Sequence, residues 1–473
     1  MATQRINFAE WLPDQPSISG ALVDVNNVVP LVQGYSPFPS AVDYSNAASE
    51  NLNNVYAGKF STITQLFAGG ATKLFKFTSG TNNLADVSKA GGYSGADRWS
   101  FAQFGDVLLA SNNAEKIQAW TVNTSTVFAD VAAAAPIAKY ITVVRDFVVA
   151  ANISGTPNKV QWSDINDETD WTSGGASQSD YQIISDGGNI QGITGGEFGL
   201  VLLERGVVRM SYIGSPLFFQ FDTISRGLGC TDGSTVAQYA DTTYFLSDDG
   251  FYSCNGVNLV GIGTEKVDKW FFANCDLGQI NTCSTAVDPV RNIVVWNFPN
   301  TSGGRSLIMF NWQTNKWSKA ATDVDYISSV TTSGVTLEDL DAFGLLDDLT
   351  TSLDSRLWVG GKLLFAGARD NKIITFTGSN ATASLNTGDI EAGYNSVLTL
   401  VRPQLENGSA SVSVASRREL DDAITYSTSV AATSEGRASV RSAGRYHRIQ
   451  ITPTGSWIYA IGMDVDFKPQ GGR

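Results

Sequence analysis

The residues best suited to chemistry are carboxylates, and they crowd one stretch. Between Ala321 and Ser355 lie Asp323, Asp325, Glu338, Asp339, Asp341, Asp347, Asp348 and Asp354, with no lysine or arginine among them. A calcium loop needs oxygen ligands at fixed positions with a glycine turn and a distal glutamate, and Asp323-x-Asp325 has neither. A glycosidase pair depends on carboxylate separation in space, which the sequence leaves open. The plainer reading is a solvated acidic segment, a wall facing something that must not stick. A second group, Gln161–Trp171 (QWSDINDETDW), sets Trp162 and Trp171 around four acidic residues. Aromatics beside carboxylates can form a sugar subsite, but a strand end with an acidic turn and an anchoring tryptophan is the commoner use.

The remaining candidates are sparse. His447, in GRYHRI, is the only histidine, which excludes a multi-histidine metal centre. No G-x-S-x-G elbow accompanies it, and it reads as a surface or interface residue on an alternating strand. Cys230, Cys254, Cys275 and Cys283 fall within one region without C-x2-C spacing, so zinc is not expected and buried free thiols are favoured over a disulfide. Ser247–Ser253 (SDDGFYS) departs from the Asp-box turn of sialidase propellers: Asp249 and Gly250 are adjacent, the closing tryptophan is missing, and no second copy occurs. Neither a P-loop nor a GxGxxG pattern is present. No cofactor, no metal and no catalytic residue is expected, and the chain is read as a non-enzyme.

The elements that must position these residues are strands. The chain has 473 residues, 46 of them glycine, with 11% aromatic and only 16% charged residues. Such a composition favours strand over helix. An apolar run, a turn and a second apolar run recur from Ile63, Gly105, Arg145, Glu197, Ala240, Arg291 and Leu357. Intervals of about 40–50 residues are those of four-stranded propeller blades. The expected architecture is an all-β chain: an N-terminal extended arm over residues 1–54, a β-propeller of six or seven blades over 55–378, and a C-terminal β-sandwich over 379–473. The acidic insertion at about 321–355 falls between blades and holds the one helix candidate, Leu337–Leu353. The rival architecture is a large double-sheet sandwich.

Charge excludes further classes. The formal net charge is −14, without the basic stripe of a sequence-specific nucleic-acid binder. Residues 379–473 hold nine basic and nine acidic side chains, so the whole excess lies in residues 1–378. The opening residues lack the apolar region of a signal peptide, and no segment has the uninterrupted apolar length of a transmembrane helix.

Glu10–Ser40 (EWLPDQPSISGALVDVNNVVPLVQGYSPFPS), with its LP turn, N-V-x-P and G-Y-x-P-F-P segments, resembles the opening of tail nozzle proteins of short-tailed bacteriophages, also termed tail hub or packaged DNA stabilisation proteins. WSDINDETDW resembles that family's W-S-D…W element. Thr351–Gly367 and the ending GRYHRIQITP…GMDVDFKPQGGR resemble its last blade and C-terminal sandwich. The resemblance implies a structural protein of the virion tail, assembled in the host cytoplasm. It would form a homohexamer below the portal-adaptor (head-to-tail connector) protein and continue and gate the DNA ejection channel. Its other partners would be tail fibre, tailspike or needle proteins, with genomic DNA passing without sequence-specific binding. Under this reading Glu338, Asp339, Asp341, Asp347 and Asp348 line or plug the bore, repelling phosphates over ~8 Å at physiological salt. Trp11, Leu12, Tyr35 and Phe38 would anchor the arm on a neighbouring subunit or the adaptor, unless the arm closes its own last blade. The alternative function is a carbohydrate-binding or glycoside-hydrolysing propeller of a phage tail.

Overall fold

The computed structural model describes residues 2–61, 63–96, 98–332, 340, 352–353 and 363–470. Seven four-stranded antiparallel sheets succeed one another along the chain. Blades 1 to 6 span residues 52–86, 100–130, 138–183, 190–226, 237–261 and 284–322. Blade 7 takes Tyr326–Thr331, Leu363–Arg369 and Lys372–Thr375 from its own region and borrows Val42–Asp43 from the arm as its outermost strand. The chain is therefore a seven-bladed β-propeller, closed by its N-terminal segment.

Each of the seven repeated hairpins is the second and third strand of one blade. The second strands are buried on both faces because neighbouring blades cover them, as in Phe147–Ile153 and Ile293–Pro299. The apolar runs thus mark second strands, and the innermost strands are more polar. In blade 7 the connecting turn is Asp370-Asn371, both at positive φ (50° and 63°). That is the geometry of a two-residue type I′ hairpin, which asparagine and aspartate tolerate.

The innermost strands latch to one another around the axis. Blade 1 meets blade 2 through Asn54 Nδ2, which donates to Trp99 O at 2.5 Å. Blade 3 joins blade 2 by Ile141 N donating to Ser100 Oγ (3.1 Å), and blade 4 joins blade 3 by Gly196 N to Val143 O (2.9 Å). Thr194 and Thr243 hydroxyls pair at 2.9 Å between blades 4 and 5. Thr285 Oγ1 donates to Ser234 O (2.8 Å), Val287 N to Ser329 Oγ (2.7 Å), and Ser328 Oγ to Val55 O (2.6 Å). These bonds complete the circle. All but the Thr194–Thr243 pair satisfy a backbone group that no strand covers, at ~1 kcal/mol net each.

Residues after 379 and most of the arm form one further sheet of ten strands. Two strands, Ile390–Glu406 and Ala438–Thr454, run 17 residues each and change partners along their length. The ten strands form one continuous hydrogen-bonded network, in which the expected division into two sheets of a sandwich is not marked. Leu22–Asn26, Val28–Pro30 and Tyr35–Pro37 of the arm belong to it. Its core runs without a break into blades 5 and 6: Trp11, Val25, Leu398 and Ile451 share one buried cluster with Phe251, Trp296 and Trp317.

Two boundaries move. The arm ends near residue 41, since Val42–Asp43 belong to blade 7 and Leu52 opens blade 1. The acidic stretch is divided by structure: Ala321 and Thr322 end blade 6, residues 323–325 lead to blade 7, Tyr326–Thr331 is that blade's first strand, and the remainder falls between its first and second strands, within a blade.

Candidate functional site

The arm is stitched to the seam between propeller and C-terminal sheet. The short helix Asp268–Asn274, which leads from blade 5 to blade 6, starts with two amides that need acceptors. Asp14 supplies them: its carboxylate accepts from Lys269 N (2.9 Å) and Trp270 N (2.8 Å). Lys266 Nζ donates to Glu10 Oε1 at 2.8 Å. Trp11 is fully buried, with its ring edge-on to Trp270 at 5.1 Å. Tyr35 Oη donates to Ala9 O (3.0 Å), and Phe38 packs on Phe376 and Phe365 of blade 7 at 5.4 and 6.3 Å. Trp11, Tyr35 and Phe38 are thus occupied within their own chain, and only Leu12 of the four anchors is half-exposed. The physical reason is that large apolar side chains on a segment tethered nearby bury most cheaply at home. Glu338, Asp339, Asp341, Asp347 and Asp348 lie outside the described residues.

The tryptophan–carboxylate motif is a folded turn. Trp162 and Trp171 are buried, their indoles donating to Gln178 O and Glu168 O at 2.8 and 2.7 Å. Asp164, Asp167 and Asp170 accept backbone amides of Gln178, Thr169 and Thr172 at 2.7–3.0 Å. These carboxylates are spent on local turns.

Within SDDGFYS, Gly250 lets the backbone pass against Asp268: a Cβ there would sit 2.3 Å from its carboxylate. Asp268 is buried and accepts from Phe251 N (3.1 Å). Burial pushes its pKa up to about 6, with Asp14 and Asp249 adding repulsion.

His447 is fully buried, which corrects its reading as a surface or interface residue. Its Nε2 and Nδ1 each pair with a serine hydroxyl, Ser396 and Ser416, at 2.7 Å. Burial lowers its pKa and keeps it neutral. Nearby, Asp389 is enclosed by Arg417 and Arg448 and ties Ser17 of the arm to the sheet. All four cysteines are free and buried.

The most concentrated polar geometry lies where the innermost strands begin, at one mouth of the propeller axis. Arg98 precedes blade 2, and its Nη2 donates to Cys283 O at the start of blade 6, three blades away around the ring. Its guanidinium also lies over the Tyr326 ring of blade 7, 5.4 Å from the centroid. Arg305 Nη2 donates to the adjacent carbonyl, Thr282 O (2.6 Å), and its Nε to Asn297 Oδ1 (3.2 Å). Burial holds the Arg305 guanidinium below its usual range, although it stays charged. Two cavities of about 250 Å³ adjoin here, sharing Arg98 and Asn281. One reaches Lys139, Tyr140, Asn112 and Asp232; the other reaches Asn53, Arg305 and Asp325. Sequence reading missed these arginines because they are 207 positions apart in residue number and only the ring closure brings them together.

The fold and this axial mouth define the class, a seven-bladed propeller carrying a C-terminal sheet. No protein-family model matches the chain, and no curated relative does. Among solved structures it is similar to a chain of the mitotic checkpoint complex, at 10% identity and a TM-score of 0.40, over 72% of this chain and 93% of that one. It is also similar to the computationally designed Ika8 protein, at 10% identity and a TM-score of 0.37, over 79% of this chain and 99% of that one.

Proposed function

We propose that the chain is a tail nozzle subunit of a short-tailed bacteriophage. In this reading it is a structural virion protein, without catalysis, that assembles as a homohexameric ring beneath the portal-adaptor protein and continues the DNA ejection channel. The observation that carries the reading is the use made of Glu10–Ser40, the longest segment of the resemblance. It is built as a seam that caps the helix before blade 6, supplies strands to the C-terminal sheet and leads directly into the closing strand of blade 7. A segment used in this way fixes propeller and sheet as one rigid wedge, which a ring of identical subunits requires.

The propeller axis is not the conduit in this reading. An arginine side chain bridges its mouth, a gap far too narrow for duplex DNA, so the DNA passage runs between subunits. The excess negative charge of residues 1–378 suits a wall that must release phosphates, because each neutralised phosphate would strengthen attachment through counterion release.

The test is negative-stain electron microscopy of the purified protein with and without an adaptor ring, joined to a glycan-array screen. Six-fold rings, alone or stacked on the adaptor, are expected. Particles that stay monomeric with the adaptor and bind or hydrolyse a glycan would sink the proposal and favour the carbohydrate reading.

A further inference from the structure

Two guanidinium groups meet at the axial mouth, with Asp325 the one carboxylate among the described residues that lines their shared cavity. Arg98 and Arg305 donate to the consecutive carbonyls of Cys283 and Thr282 and line the same cavity. Neither has an ion-pair partner within 4.0 Å among the described residues, although the chain carries 46 acidic side chains. Lys139 of the adjoining cavity is likewise unpaired there, its ammonium resting on the Tyr140 ring at 5.2 Å. Like charges held together and half-buried repel each other, and carbonyl acceptors only partly offset that cost.

A second, independent observation points the same way. Asn112 is 6% exposed and lines the cavity with Arg98. Its Oδ1 is committed to Ala114 N (3.1 Å) and Glu115 N (2.9 Å), which fixes the amide orientation and leaves Nδ2 as a buried donor without an acceptor. Buried donors in folded proteins are rarely left so. The one acid among the described residues that lines this cavity, Asp232, already accepts Ser234 N at 2.8 Å. Asp325 borders the other cavity but makes no ion pair with either arginine.

We infer that the axial mouth is an oxyanion site, in which Arg98 and Arg305 hold a carboxylate or phosphate group, with Lys139 adding positive charge from the adjoining cavity. The planar forks of two arginines suit a group with two or more acceptor oxygens. A free small anion and an acidic side chain of another protein chain present the same group. This inference stands on the site's own geometry and does not need the nozzle reading.

Binding is measured calorimetrically on the full chain with three probes: inorganic phosphate, glutarate and a short poly-glutamate peptide. The wild type is expected to bind at least one, with affinity falling tenfold or more in Arg98→Met and in Arg305→Met. Arg98→Lys, which keeps charge and loses the fork, should fall between, and it serves as the control if the methionine variants fold poorly. Binding of phosphate or glutarate identifies a free anion as sufficient, whereas binding of the peptide alone identifies a protein-borne carboxylate; both support the site. No binding by any probe at millimolar concentration, or equal binding in the wild type and the arginine variants, overturns it. Ring formation in the microscope is a separate readout, so failure here leaves the proposed assembly untouched, and the reverse also holds.

Discussion

Replacing Asp268 with asparagine should stabilise the protein at neutral pH and not in acid. The carboxylate lies 7% exposed between two glycines, where a Cβ at Gly250 or Gly263 would come within 2.3 or 2.0 Å of it. One amide, Phe251 N, donates to it at 3.1 Å, too little to offset burial. The pKa is therefore raised from 3.8 to about 6, burial being the largest cause. An acid whose folded pKa is raised binds more protons in the native state, so stability is lost as pH rises from about 4 to about 6 and stays lost above that. At 1.36 kcal/mol per pH unit, the ceiling is about 3 kcal/mol. Asparagine is isosteric and keeps the acceptor for Phe251, but it adds an amide donor whose burial costs about 1–2 kcal/mol. The net expectation at pH 7.5 is a gain of about 1–2 kcal/mol, read as a Tm rise of about 1–2 °C for a chain this long. Urea unfolding of both proteins at half-unit steps from pH 4 to 8 provides the assay. The gain should shrink steadily below pH 6 and vanish or reverse near pH 4. A pH-independent difference, or no gain at pH 7.5, would refute the assignment of a strained, ionised carboxylate at this position.

Three further outcomes follow from the same geometry. In the Asp268→Asn background, stability should fall as pH drops below 6.5, because buried His447 stays neutral while the unfolded chain takes up the proton there; His447→Gln, keeping one polar contact to Ser396 or Ser416, should flatten that slope in urea titrations. Trp11→Ala should cost about 3–5 kcal/mol and expose residues 8–40 to limited proteolysis, while Leu12→Ala, at a half-exposed position, should cost under about 1.5 kcal/mol in the same denaturation series. Gly34→Ala should loosen the hairpin of the arm from the C-terminal sheet, since its φ is +75° and a Cβ would stand 2.1 Å from Ala460 O; hydrogen exchange at Tyr35 and Ala460 should quicken, and unchanged protection would contradict the packing.

The repeat of the propeller was legible because period and burial are local. Each second strand must be apolar on both faces, so seven runs stand out along the chain, and type I′ turns such as Asp370-Asn371 mark the hairpins between them. The expectation against a zinc or multi-histidine centre likewise came from counting residues. Positions 338, 339, 341, 347 and 348 could be named from composition alone, but composition carries no position relative to an axis.

What only the tertiary structure decided is where distant residues meet. Residues 42 and 43 carry no hint of completing a sheet made by residues 326–375, because strand pairing depends on a backbone edge left open by ring closure. Trp11, Tyr35 and Phe38 look the same in sequence whether they grip a neighbour or their own core; the apolar seam between blades 5, 6 and 7 and the C-terminal sheet decides it. The polar latches and the Arg98–Arg305 mouth are further cases, for their members come from segments far apart in the chain. The sequence alone determined the repeating unit and its chemistry of burial, since both are short-range. The closed ring determined the charges at its axis, since bringing like charges together requires a fold stable enough to hold them there.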